Sequence, residues 1–297
     1  MPKRSVFAGR FALGALSIDG AFAQMVLEFT RPQVMGILNV TPDSFSEGGR
    51  YALLDAALRR AEQMIVEGVD IIDVGGESTR PGAQFVAESD EIERVVPLIE
   101  AIVARFDTPV SVDTSKSVVI TAAVAAGAAM INDVRALREE GALVAAVQAA
   151  VPICLMHMQG EPRTMQSAPV YNNVVEDVMI FLQKRIDACV EAGIPRKKLL
   201  IDPGFGFGKN LKHNLGLLKE LNRFKVLGVP LLVGVSRKSM IGMILDKDVD
   251  ERLYGSLAAV ALALWQGATV IRVHDVAETV DVVKLCHAVM NEGVAAQ

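Results

Sequence analysis

Cysteine is scarce. The 297 residues hold three, Cys154, Cys189 and Cys286. They are odd in number, widely spaced and form no CxxC pair, which excludes a disulfide scaffold and a zinc knuckle. A basic face is also missing: 30 Lys+Arg stand against 35 Asp+Glu, net −5, so no nucleic-acid footprint is expected. Aromatic residues make up only 5%. No GxGxxG opens a helix after the first apolar strand, which argues against a doubly wound dinucleotide fold. No GxSxG elbow announces a nucleophilic serine. No Ser/Gly-rich linker divides the chain.

A long apolar run is lacking too, despite a mean hydropathy of +0.35. The stretch of 19 residues between Arg252 and Arg272 carries no charge, but Tyr254, Gly255, Ser256, Gln266, Gly267 and Thr269 interrupt it. It reads as a buried helix, a turn and a strand, so no membrane span is expected. Near the N-terminus, Lys3, Arg4, an apolar stretch 11–18 and Ala21-Phe22-Ala23 give a faint leader-like pattern. Arg10 and Asp19 spoil it. Residues 1–30 are read as an extension and 31–292 as one folded unit.

What is present is a recurring unit: a helical stretch, a glycine, then a short apolar strand. Gly68, Gly127, Gly228 and Gly267 mark it. Glycine suits the residue after a helix because the left-handed conformation costs it little. A short apolar strand buried on both faces is what a parallel sheet requires. Eight such strands are expected, at about 34–39, 70–74, 109–113, 129–132, 152–156, 198–202, 230–234 and 269–273. Amphipathic stretches such as Leu54, Leu58, Ala61 and Ile65 lie between them. Eight alternating units over roughly 260 residues predict an α/β fold, a single (β/α)8 TIM barrel.

Barrel chemistry gathers where the strands end. Those positions hold Asn39, Asp113, Asn132, Asp133, His157, Asp202, Ser236-Arg237-Lys238, Arg272 and His274, with Gly76 to Gly82 after strand two. Asp113, Asn132 and Asp202 offer acceptors to a flat ligand rich in N–H groups, since a carboxylate matches an adjacent ring N–H and amine in a bidentate way. Arg80, Lys238, Arg272 and His274 are expected to supply local positive charge for an anion. Two turn-rich loops, 39–49 and 75–82, complete the mouth.

Five stretches carry a resemblance. Met35-Gly36-Ile37-Leu38-Asn39-Val40-Thr41-Pro42-Asp43-Ser44-Phe45-Ser46 and Asp73-Val74-Gly75-Gly76-Glu77-Ser78-Thr79-Arg80-Pro81-Gly82 resemble the first two signatures of the dihydropteroate synthase family. Asp202-Pro203-Gly204-Phe205-Gly206-Phe207-Gly208-Lys209, Ser236-Arg237-Lys238-Ser239 and Arg272-Val273-His274-Asp275 resemble its later ones, in the family's order. The resemblance covers about residues 33–290. It implies a transferase of folate biosynthesis that condenses dihydropterin hydroxymethyl pyrophosphate with para-aminobenzoate, the target of sulfonamides. It further implies Mg²⁺, a homodimer and a cytoplasmic location.

The resemblance also assigns roles. Asn39 would meet the pyrophosphate and its Mg²⁺. Asp113, Asn132 and Asp202 would pair with the pterin edge, Met156 and Phe207 would line its slot, and Lys238 would bond the ring. Arg272 would stack on the ring while touching phosphate, and His274 would bind pyrophosphate. Thr79, Arg80, Pro81 and Ser236 would frame the para-aminobenzoate site, with Phe45 nearby. The catalytic set implied is Asn39, Asp43, Thr79, Arg80, Asp113 and Lys238. The sequence departs from the family at Glu47, where aspartate is usual, and at Ser117, where proline is common. Three rivals remain: a pterin-dependent methyltransferase of the same superfamily, a Schiff-base aldolase using Lys238, and a pterin-binding protein without catalysis.

Overall fold

The computed structural model describes residues 29, 31–40, 50–78, 85–160, 165 and 169–291. Strands and helices alternate from end to end: β1 (Gln33–Asn39), α1 (Arg50–Glu67), β2 (Ile71–Gly75), α2 (Glu88–Val103), β3 (Val110–Asp113), α3 (Ser117–Ala125), β4 (Met130–Asp133) and α4 (Ala142–Ala149). They continue as β5 (Ile153–Met156), α5 (Val174–Glu191), β6 (Leu199–Asp202), α6 (Leu211–Lys219), β7 (Leu232–Val233), α7 (Ser239–Leu245), α8 (Leu253–Gln266), β8 (Val270–Val273) and α9 (Val276–Met290).

The eight strands form one parallel sheet in the order β6-β5-β4-β3-β2-β1-β8-β7. A parallel bridge between Ile201 and Leu231 joins its two edges. The fold is therefore the expected (β/α)8 barrel. The strands begin and end within one residue of their expected bounds, except β7. Its expected five residues shrink to Leu232–Val233, because Pro230 has no N–H to give a ladder. Gly127 (φ +106°) and Gly267 (φ +105°) lie in the left-handed region where helix gives way to strand, as the repeat required.

The two-residue period of the strands sorts the apolar side chains into two bodies. One set of alternate residues, including Val34, Leu38, Ile72, Val74, Val112, Ile131, Leu155, Ile201, Val233 and Ile271, packs outward with the helices. The other set, Met35, Ile71, Met130, Cys154, Leu200, Leu232 and Val270, fills the inside of the barrel, with Phe29 packed against it. Arg31 pairs with Asp70 at 2.5 and 3.1 Å beside β1. Among the described residues, no helix is long and apolar enough to cross a membrane.

Candidate active site

One step further along the same inward face, the barrel turns from apolar to ionised. In register, Asn39 stands beside Gly75, Gly75 beside Asp113, and Asp113 beside Asn132. Met156 stands beside Asp202. Arg272 reaches across the barrel from β8. Its Nε donates to Asp73 Oδ2 at 2.6 Å and its Nη2 to Asp113 Oδ2 at 2.7 Å. The amide of Asn132 donates to Asp73 Oδ2 at 3.1 Å. One guanidinium and one amide thus hold two buried carboxylates in fixed positions.

Burial governs the electrostatics. It pushes the Asp113 carboxyl up to about 7; Arg272 opposes this, while Asp73, Glu91 and Asp133 reinforce it. Burial pushes Asp202 up to about 6, against the Gly204 N–H, Lys238, Lys209 and Arg272. Burial works against the Arg272 charge, but Asp73 and Asp113 outweigh it and hold the guanidinium above its ordinary range. His274 is pushed down to about 4, chiefly by burial and then by Arg272 and Arg237. It is therefore a neutral imidazole at pH 7, which corrects its expected role as a source of positive charge. Arg272 is not a spare cation either, because Asp73 and Asp113 already match it.

The turns after β6 and β7 bring in the rest. The Lys238 ammonium lies over the face of Phe207, 4.3 Å from its centre. That contact favours a charged amine, the form a Schiff-base nucleophile must lose. Ser236 is buried; its Oγ accepts the His274 N–H at 3.2 Å and lies 3.1 Å from His274 Nδ1. Arg237, at φ +57°, turns away and pairs with Asp275 at 2.5 Å. Met156 and Phe207 meet as expected, in an apolar patch that also holds Val134, Met158 and Met165.

Besides Arg237, two strand-end residues do not join the mouth. His157 is buried among Tyr171, Phe181 and Lys209 on the side of α5. Asp133 caps the backbone N–H groups of Arg135 and Leu137 at 2.7 Å each and accepts from Ser115. Both sit one residue beyond an inward position, Met156 or Asn132, and the pleat sends them outward. Asp43, Thr79, Arg80, Pro81 and Phe45 lie outside the described residues. Asp73 and Lys209 had been given no role. The alternation Ile71, Asp73, Gly75 could have placed Asp73 inside the barrel; nothing local distinguishes Lys209 from a surface lysine.

The chain is similar to known proteins over most of its length. A family model described as pterin binding enzyme matches residues 35–274. The chain is 54% identical over 265 residues to a dihydropteroate synthase of Haemophilus influenzae, covering 89% of this chain and 96% of that one. Its fold matches the crystal structure of Yersinia pestis dihydropteroate synthase with a sulfonamide drug, at TM-score 0.86 and 53% identity, over 90% of this chain and 98% of that one. It also matches Xanthomonas albilineans dihydropteroate synthase with 4-aminobenzoic acid, at TM-score 0.83 and 51% identity, over 88% and 94%. A buried acid–amide–guanidinium row at the mouth of such a barrel, matched along most of its length by these relatives, places the chain in the pterin binding enzyme family, among the dihydropteroate synthases.

Proposed function

We infer that this chain is the transferase that joins 6-hydroxymethyl-7,8-dihydropterin pyrophosphate to para-aminobenzoate, giving 7,8-dihydropteroate and pyrophosphate for folate synthesis. The observation that carries this is the buried set Asp113, Asn132 and Asp202 beside the Met156–Phe207 patch. A carboxylate accepts a ring N–H and an exocyclic amine together, so these acids read the edge of the pterin while the apolar patch takes its face.

The same acids favour reaction. As pyrophosphate leaves, positive charge develops on the exocyclic carbon and spreads into the electron-rich ring. Ionised carboxylates already fixed beside that ring meet the charge without reorganisation. The aromatic amine brings its own lone pair, so no strong base is needed. Lys238, held over Phe207, faces the ring and the leaving group from the other side. His274, hydrogen-bonded to Ser236, offers a polar contact to the phosphates. By the family resemblance Thr79, Arg80, Pro81 and Ser236 would frame the aminobenzoate, with Phe45 beside them, and Asp43 would belong to the catalytic first loop. Water kept from the site cannot capture the cation.

Asn39 fits the Mg²⁺ that the family implies. A Cβ on Gly75 would lie 3.1 Å from Asn39 Oδ1, so the glycine leaves room around that oxygen. Among the described residues no group of three or more His, Cys, Asp or Glu could hold a metal. A single neutral oxygen suits an ion that keeps most of its waters and binds substrate phosphate. When bound, Mg²⁺ would compensate charge on the leaving pyrophosphate.

We read the protein as a cytoplasmic homodimer. Its three cysteines are all free, which suits a reducing compartment. Tyr254, Leu262 and Trp265 are exposed on one side of α8, more apolar surface than a lone helix usually shows to water. Sedimentation at micromolar concentration tests the dimer.

The deciding experiment is turnover. With pterin pyrophosphate, para-aminobenzoate and Mg²⁺, folded protein is expected to release pyrophosphate, and a sulfonamide to compete with para-aminobenzoate. Tight pterin binding with no pyrophosphate released would instead make this a binding protein.

A further inference from the structure

Lys209 is buried to 2% exposure, yet none of its hydrogen-bond acceptors is a carboxylate. Its Nζ lies 2.9 Å from His157 Nδ1, Gly204 O and Phe207 O, and 3.4 Å from His157 O. An ammonium taken out of water without a paired carboxylate is costly to keep. Burial pushes this one down to about 7, and the field of Asp202 holds it up. A lysine kept in such a place needs a reason.

The reason lies in what the four contacts join. His157 follows β5. Gly204 and Phe207 belong to the turn after β6, which starts from the pterin-facing acid Asp202 and carries the ring. Gly204 is the link: its carbonyl accepts from Lys209, and its N–H donates to Asp202 Oδ1 at 2.7 Å. A Cβ on Gly204 would stand 1.9 Å from His157 O, at φ +72°, so no other residue fits there. The other side of the turn is tied by Asn214 Oδ1 to the Gly206 N–H and by Tyr171 Oη to Gly208 O, each at 2.8 Å.

We propose that Lys209 is a positioning residue for the pterin end of the site. Acting through Gly204, it commits Asp202 Oδ1 to the turn, leaves the acceptor role toward the ligand to Oδ2, and sets the plane of Phe207 under Lys238. It touches no substrate. The inference rests on the reading of this mouth as a pterin site.

The charged and titratable groups facing Asp202 are Lys209 on its own turn, Lys238 from the turn after β7, Arg272 from β8 and the Cys154 thiol of β5. Removing the Lys209 charge leaves two cations to hold Asp202 ionised. Its titration must then move to higher pH.

Lys209→Met keeps the stem and deletes the ammonium. Its affinity for pterin pyrophosphate is expected to fall roughly tenfold to hundredfold, the scale of one or two charged hydrogen bonds. The KM for para-aminobenzoate is expected to stay within about twofold. In the ligand-free protein, carboxyl ¹³C NMR of Asp202, assigned with Asp202→Asn, should show its titration shifted to higher pH. If Lys209→Met does not fold, His157→Phe keeps the packing on Phe181, removes the Nδ1 acceptor and should weaken pterin binding a few-fold. Unchanged pterin affinity and unchanged Asp202 titration in a folded variant overturn the proposal; so does an equal loss for both substrates. A wild-type protein that binds pterin but makes no product defeats the catalytic reading and leaves the Lys209 comparison standing.

Discussion

Two floors of the barrel share the same strands and the same inward face, two residues apart, and differ in nearly everything else. Met35, Ile71, Met130, Cys154, Leu200, Leu232 and Val270 form a closed apolar floor. Asp73, Asp113, Asn132 and Asp202 lie above it, almost as deeply buried, with the partly exposed Arg272 among them. The lower floor gains from leaving water. The upper floor loses by it, and the Asp113 and Asp202 carboxyls are pushed up as a result. The barrel holds a costly charge set rigid by standing it on an inexpensive one, which is how fixed dipoles come to face a reacting ligand.

The largest break in that contrast is Arg272→Ala. Asp73 and Asp113 would lose their shared cation, and removing one partner of a buried ion set costs about 3–5 kcal/mol. Urea unfolding should report that loss, with turnover lost as well. Unchanged stability would mean the upper floor is not held by this guanidinium. Next comes Leu200→Ala below. It should cost about 2–5 kcal/mol of stability and leave kcat/KM of the folded protein within about twofold, so a large activity loss would show that the floors are not separable. Asp202→Asn should do the reverse. An amide presents a donor where the pterin needs an acceptor, so pterin affinity should fall roughly tenfold or more, while stability holds or rises because a costly carboxylate is gone. Calorimetry and melting on one sample read both.

The smallest effect is graded. Asp113 titrates near 7 and Asp202 near 6, and pterin binding uses their ionised forms. Affinity should therefore fall as pH drops through 7 and 6, by at most about tenfold per pH unit for each group required. In Asp202→Asn the lower step should vanish. A flat profile from pH 8 to 5 would show that these carboxyls do not need to be ionised to bind.

Much of this was legible without coordinates. The glycine-then-strand repeat, read on Gly68, Gly127, Gly228 and Gly267, marks four points where the chain turns toward a strand, because glycine adopts the left-handed backbone there at little cost. The apolar strand runs fix the parallel sheet. Asp113, Asn132 and Asp202 announced themselves by standing at strand ends. The charge balance was misread. His274 reads as a cation in the sequence, and its burial beside Arg272 and Arg237 holds it neutral. His157 and Asp133 looked like members of the mouth, and a one-residue offset in the pleat sends each outward.

What the sequence by itself determined is the alternation of helix and strand, the number of strands and the residue types at their ends. Local rules suffice for these: hydrophobic period, glycine at helix ends, polar residues in loops. What only the tertiary structure decided is pairing. Arg272 meets Asp73 and Asp113 across separations of 199 and 159 residues, and Lys209 meets His157 across 52. No local pattern encodes such partners. They arise when the sheet closes on itself, and burial then sets which of those groups carry charge.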